Sequence, residues 1–180
     1  MKRQVDEMTS FIVMDILEKA QELERKGINI IHLEVGEPDF NLPSNVSSIC
    51  QKAYLNNQTH YTHSLGVWEL REAIAEFYSK EYDVIVNPAC VMVTSGSSPA
   101  ILMALMCLCE RDSEVLISNP SYPCYKNFIL ACHAKPVSIP LKNYQYDLSL
   151  IKENINRKTR AIFINSPMNP TGALIKDEVF

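Results

Sequence analysis

Three short stretches of this 180-residue chain combine residue types that could do chemistry. In Val93-Thr94-Ser95-Gly96-Ser97-Ser98-Pro99-Ala100-Ile101, an apolar run enters a Gly-Ser-Ser turn and Pro99 follows. Proline is favoured at the first helical position and Ser98 is a good N-cap, so a helix is expected to open there. Such a start presents unpaired N–H groups and the positive end of the helix dipole. Gly96 allows close backbone approach and two hydroxyls add donors, which suits a phosphate. The same residues also make an ordinary capped strand–helix turn. Neither a Gly-Lys-Ser/Thr phosphate loop nor a G-x-G-x-x-G dinucleotide pattern is present.

In Asn119-Pro120-Ser121-Tyr122-Pro123-Cys124-Tyr125, two prolines stiffen the chain around Tyr122. A fixed aromatic there could stack on a flat ring, or simply pack in a tight turn. In Asn165-Ser166-Pro167-Met168-Asn169-Pro170-Thr171-Gly172, Asn169 offers a neutral amide donor, although N-P-T-G is good turn chemistry by itself. Both stretches follow predicted strands. They therefore sit at carboxyl strand ends, where open α/β sheets bind ligands. A phosphate cradle, an aromatic plate and an amide donor at one sheet edge fit a phosphorylated aromatic cofactor.

The elements that must hold these loops can be read from periodicity. Helices are expected over 11–26, 45–55, 67–80, 99–110, 123–133 and 148–154, with Gly27 stopping the first and Ser44 capping the second. Strands are expected at 28–35, 91–94, 114–118, 136–140 and 161–165. Strands separated by helices predict an α/β domain in three layers: a mostly parallel sheet with helices on both faces. A helix beginning near Lys176 reads as broken off, so the domain is expected to be truncated.

Composition excludes several classes. Hydrophobic residues make up 47% and charged residues 21%, as in globular proteins. A net charge of -4, with Lys and Arg scattered, gives no basic face for nucleic acid. No apolar run reaches membrane-spanning length, and Asp6 and Glu7 stand where a leader would be apolar, so a cytoplasmic location is expected. The six cysteines include no C-x-x-C pair and are expected to be small buried thiols. His60 and His63 are expected to be loop histidines.

In order and spacing the sequence resembles the class I/II aminotransferases, enzymes of the type I pyridoxal-phosphate fold. The markers are Gly36-Glu37-Pro38-Asp39-Phe40, Tyr61 with Gly66 and Leu70-Arg71, Thr94 to Ser98, Asn119 to Tyr122, and Asn169 to Gly172. The resemblance implies pyridoxal 5'-phosphate as cofactor, amino acid and 2-oxo acid as substrates, and a homodimer. It implies that Gly36 meets the substrate carboxylate and that Tyr61 reaches the cofactor phosphate of a neighbouring subunit. Gly96, Ser97 and Ser98 would form the phosphate cup, Tyr122 would stack on the pyridine ring, and Asn169 would bond its phenolic oxygen. Arg71 would be structural. At least one of the Asn119–Pro120 and Asn169–Pro170 bonds is expected to be cis.

By the same resemblance, residues 1–44 would belong to a small domain and 45–180 to the first part of a large cofactor-binding domain. The pyridine-pairing aspartate, the Schiff-base lysine and the carboxylate-binding arginine have no counterpart among these 180 residues. Lys126, Lys135, Lys142 and Lys176 stand in the wrong motif positions and are expected at the surface. The chain taken alone is therefore expected to be inactive. A lyase or decarboxylase of the same fold, or a fragment that binds cofactor without catalysis, are the competing readings.

Overall fold

A computed structural model of the chain describes residues 4–176. The chain divides into two compact units, residues 36–97 and the remainder.

The larger unit carries the sheet. Strands β1 (Glu114–Asn119), β2 (Lys135–Pro140) and β3 (Thr159–Ile162) pair in parallel in the order β2-β1-β3. β1 is the central strand, and its burial explains why it was legible as a continuous apolar run: Val115, Leu116, Ile117 and Ser118 are all buried. Alternation along β1 divides the core in two. Val115 and Ile117 pack with Leu105 of α4 (Ser97–Leu108) and Ile129 of α5 (Cys124–Ala131). Leu116 packs with Ile139, Tyr146, Met168, Ile175 and Ile151 of α6 (Leu148–Asn154). Helices on both faces of a parallel sheet give the expected three layers. α6 is capped by Asp147, whose Oδ1 accepts from the Ser149 and Leu150 N–H groups at 2.9 and 3.4 Å.

α1 (Ile12–Glu24) also lies in this unit, and Gly27 follows it at φ +82. The segment 28–35 departs from expectation: it forms no strand, and Ile31 and Leu33 are 82% and 89% exposed. β-branched residues favour a pleated surface, but a strand needs a ladder partner, and the described residues supply none. Helix 176 onwards falls outside the described residues beyond Lys176 itself.

The smaller unit holds α2 (Ser44–Leu55) and α3 (Trp68–Tyr82). α2 starts at Ser44, one residue earlier than expected, so Pro43 and not Ser44 occupies the cap position. The expected strand 91–94 does not form. It is held by the Val93 N–H donating to the Leu65 carbonyl at 3.0 Å and by Arg71 at the Val91 carbonyl. Arg71, 5% exposed, donates from Nε to the Pro88 and Val91 carbonyls at 3.1 and 2.9 Å and lies over the Trp68 ring at 4.9 Å. This is the structural role expected of it.

The cysteines correct the composition reading. Cys50, Cys90 and Cys107 are exposed, and Cys109, Cys124 and Cys132 are partly buried. Cys50 sits on α2, which buries no residue, so apolar character alone did not draw it inside. No group of three or more metal-ligating side chains occurs among the described residues.

Candidate functional site

The loops leaving β1 and β3 emerge at the same edge, because the strands are neighbours and parallel. After β1 the Asn119–Pro120 bond is cis, and the Leu141 N–H donates to the Asn119 carbonyl at 3.1 Å. The chain then turns into α5, with the Tyr125 N–H donating to the Tyr122 carbonyl at 3.1 Å. Tyr122 is half-buried and held edge-on by two rings: Phe11 at 6.2 Å and 83°, and Tyr125 at 5.3 Å and 82°. Tyr125 in turn stacks on Phe163 at 4.4 Å. The plate is therefore fixed in orientation by ring geometry.

The Tyr122 hydroxyl has a pKa pushed above its ordinary value by the Cys124 side chain first and by burial second, while the Ser98 hydroxyl pulls the other way. Ser98 and Tyr122, expected at one site, both belong to the larger unit.

After β3, Ser166–Pro167 and Asn169–Pro170 are both cis, so both Asn-Pro bonds singled out in the sequence have this geometry. The Asn169 N–H donates to Asn165 Oδ1 at 2.8 Å, and the Gly172 N–H to the Met168 carbonyl at 2.7 Å. Met168 is buried while Asn169 is exposed, so the loop is anchored by its neighbour and leaves the amide free.

Ser97 is the first residue of α4, which puts Ser98 inside the first turn and not at the cap. The turn before it is tight: the Gly96 N–H donates to the Thr94 carbonyl at 2.9 Å and Thr94 Oγ1 donates to the Gly96 carbonyl at 2.6 Å. Gly96 has φ +82, and a Cβ there would meet nothing within 4 Å. The backbone therefore needs glycine for its conformation and faces open space. No acidic residue occupies the first turn of α4 to neutralise its dipole.

In the smaller unit, Gly36 is exposed with open space beside it. Tyr61 is fully exposed and does not pack on Ser97. The loop after Tyr61 is set by His63, whose carbonyl accepts from the Gly66 N–H at 2.8 Å and whose Nδ1 accepts from the Leu65 N–H at 3.1 Å. His60 and His63 are exposed loop residues, as expected.

Sequence reasoning missed Asn165, which orients Asn169 from four residues upstream, and Phe11, which orients Tyr122 across more than a hundred residues. Asn165 carries a readable signal, an Asx side chain just before a Pro-rich turn. Phe11 carries none, because its contact exists only in the folded unit.

The family profile described as aminotransferase class I and II matches residues 28–179. A (5-formylfuran-3-yl)methyl phosphate transaminase from Methanocaldococcus jannaschii is 45% identical over 171 residues, 95% of this chain and 45% of that protein. A probable aspartate/prephenate aminotransferase from Aquifex aeolicus is 38% identical over 92% of this chain and 43% of its own length. Among solved structures, aspartate aminotransferase from Thermus thermophilus with maleate is similar at a TM-score of 0.93 and 30% identity, covering 99% of this chain and 48% of that one. The chain spans about half the length of the curated relatives it matches.

Proposed function

Because this chain belongs to the class I and II aminotransferases, we propose that the protein moves an amino group between an amino acid and a 2-oxo acid with pyridoxal 5'-phosphate. The observation that carries this is the shared edge of the parallel sheet at which the Tyr122 and Asn169 loops leave β1 and β3. The local features fit the cofactor. A positive-φ glycine facing open space and an acid-free first helical turn suit a phosphate. An aromatic ring held edge-on by two others suits a stacked pyridine.

In this reading Gly96, Ser97 and Ser98 hold the phosphate through backbone N–H groups and hydroxyls. Tyr122 covers one face of the ring. Asn169, with its backbone fixed by Asn165, presents its amide to the ring's phenolic oxygen. Gly36 leaves room for the substrate carboxylate. When bound, pyridoxal phosphate supplies the electron sink that loosens the proton on the substrate's α-carbon.

Tyr61 serves a neighbouring subunit's phosphate, and its full exposure supports a homodimer with shared sites. Residues 1–44 join a small domain and 45–180 begin the large one. The relatives are named for differing substrates, among them aspartate, prephenate, aromatic amino acids and valine, so the amino-acid substrate is left open to the assay. The test is to supply the purified full-length protein with pyridoxal phosphate and a panel of amino donors and oxo acids. Product 2-oxo acid and product amino acid should form in equal amounts. Release of carbon dioxide or ammonia in place of transfer would refute the assignment.

A further inference from the structure

We propose that Asn127 and Phe11 are positioning residues for the Tyr122 ring, joined into one device by the segment Thr9–Phe11. The inference rests on the reading that Tyr122 stacks on the cofactor.

The Asn127 side chain lies on α5 and takes both backbone groups of Thr9. The Thr9 N–H donates to Oδ1 at 3.3 Å, and Nδ2 donates to the Thr9 carbonyl at 2.8 Å. A primary amide can satisfy a peptide unit in this two-point way, as a strand partner would, and it fixes register as well as distance. The next residue is held independently, because Ser10 Oγ donates to Asp15 Oδ2 at 2.6 Å. Phe11 then occupies the cap position of α1, its carbonyl accepting from the Met14 N–H at 2.8 Å. With Thr9 tied to α5 and Phe11 tied to α1, the Phe11 ring has one place to go, edge-on to Tyr122.

Tyr125, also on α5, meets Tyr122 from a second edge. Tyr122 thus stands between an aromatic on the helix that follows it and one delivered by a segment more than a hundred positions away. Asn127 sits two residues beyond Tyr125, on the helix that carries one wall and anchors the other. Without Phe11, the half-buried ring keeps one edge contact and gains freedom to tilt, which a stacking surface cannot tolerate without loss of overlap.

The experiment uses the full-length protein and measures pyridoxal phosphate dissociation constants from the cofactor's absorption band, together with its induced circular dichroism. Phe11→Ala and Asn127→Ala should each weaken binding by about 3- to 10-fold and reduce the induced signal. Phe11→Tyr, which keeps the ring edge, should restore both. Asn127→Asp keeps the Thr9 N–H bond and loses the other, and should fall between. Urea midpoints measured in parallel separate loss of fold from loss of position. Tyr122→Ala is the reference: adding Phe11→Ala to it should weaken binding no further. If Tyr122→Ala weakens binding while Phe11→Ala and Asn127→Ala do not, or if Phe11→Ala weakens it equally without Tyr122, the positioning role is overturned alone. If Tyr122→Ala itself has no effect, the stacking reading falls and takes this inference with it.

Discussion

His32 stands between two carboxylates, with Nδ1 at 2.6 Å from Glu34 and Nε2 at 3.0 Å from Glu24. The Glu34 hydrogen bond, then that of Glu24, raises its pKa from 6.5 to about 8. A raised pKa means the folded state holds the proton more tightly than the unfolded one. The stabilisation is complete below 6.5 and is lost as pH rises through about 8. Glu34 is shifted the opposite way, downward, chiefly by His32, so its share is lost only in acid. Urea midpoints should therefore fall between about pH 6.5 and 8, and His32→Asn should flatten that slope. A wild-type midpoint that rises through this range would contradict the pairing. Arg71 allows a second test. It is buried, bonded to two carbonyls and stacked on Trp68. Arg71→Ala should cost about 3 kcal/mol by equilibrium unfolding, and Arg71→Lys should recover only part, having a charge but no flat, forked head. Equal stability of Arg71→Ala and wild type would remove Arg71 from the framework.

At the scale of elements, the decisive contact in the smaller unit is Gly66 against Val93. Gly66 has φ +96, and a Cβ there would stand 2.8 Å from both Cβ and Cγ2 of Val93. Gly66→Ala combines backbone strain with a clash that a β-branched side chain cannot relieve, and should destabilise by roughly 2–4 kcal/mol. Gly27→Ala is the matched control: φ is +82 but the space beside it is open, so only strain of about 1 kcal/mol applies. Equal losses at the two sites would show that the Val93 contact carries nothing. The contrast also shows what was legible. Helices read well because a 3.6-residue period is a local property, and all six expected helices are present within a few residues. β1 and β2 read well because they pair with each other. The segments 28–35 and 91–94 carry the same β-branched signal and form no ladder, since pairing depends on a partner that no local pattern encodes. At the site, Tyr122 and Asn169 were legible as loop chemistry after strands, and those loops do follow β1 and β3; the strand expected before Gly96 does not form, and Phe11 was hidden by its sequence distance.

On the scale of the whole molecule, an apolar gap opens between α4 and β3. A groove of about 190 Å³ lined by Ile101, Leu105, Leu108, Ile162 and Phe163 lies along β3, and Ile162 and Ile164 are exposed. In the proposed reading Ser98, Tyr122 and Asn169 bind and orient, and the reacting group would have to be a lysine. Every described lysine of the chain is exposed, Lys126, Lys135, Lys142 and Lys176 included, and Lys135 is engaged with Glu114 at 3.2 Å. A lysine that captures a cofactor aldehyde and then moves a proton must shed its own proton readily, which desolvation promotes and exposure to water does not. Losing general acid/base help alone slows a proton transfer by about 10²–10⁴-fold. The 180-residue chain by itself should therefore bind pyridoxal phosphate weakly and reversibly and should not transaminate. The measurement is borohydride reduction of the chain mixed with pyridoxal phosphate, followed by peptide mapping and an amino-transfer assay. Scattered, partial lysine labelling without turnover is the expected result. One lysine labelled to full stoichiometry, with amino acid and oxo acid interconverted, would show that the chain carries a complete catalytic centre of its own.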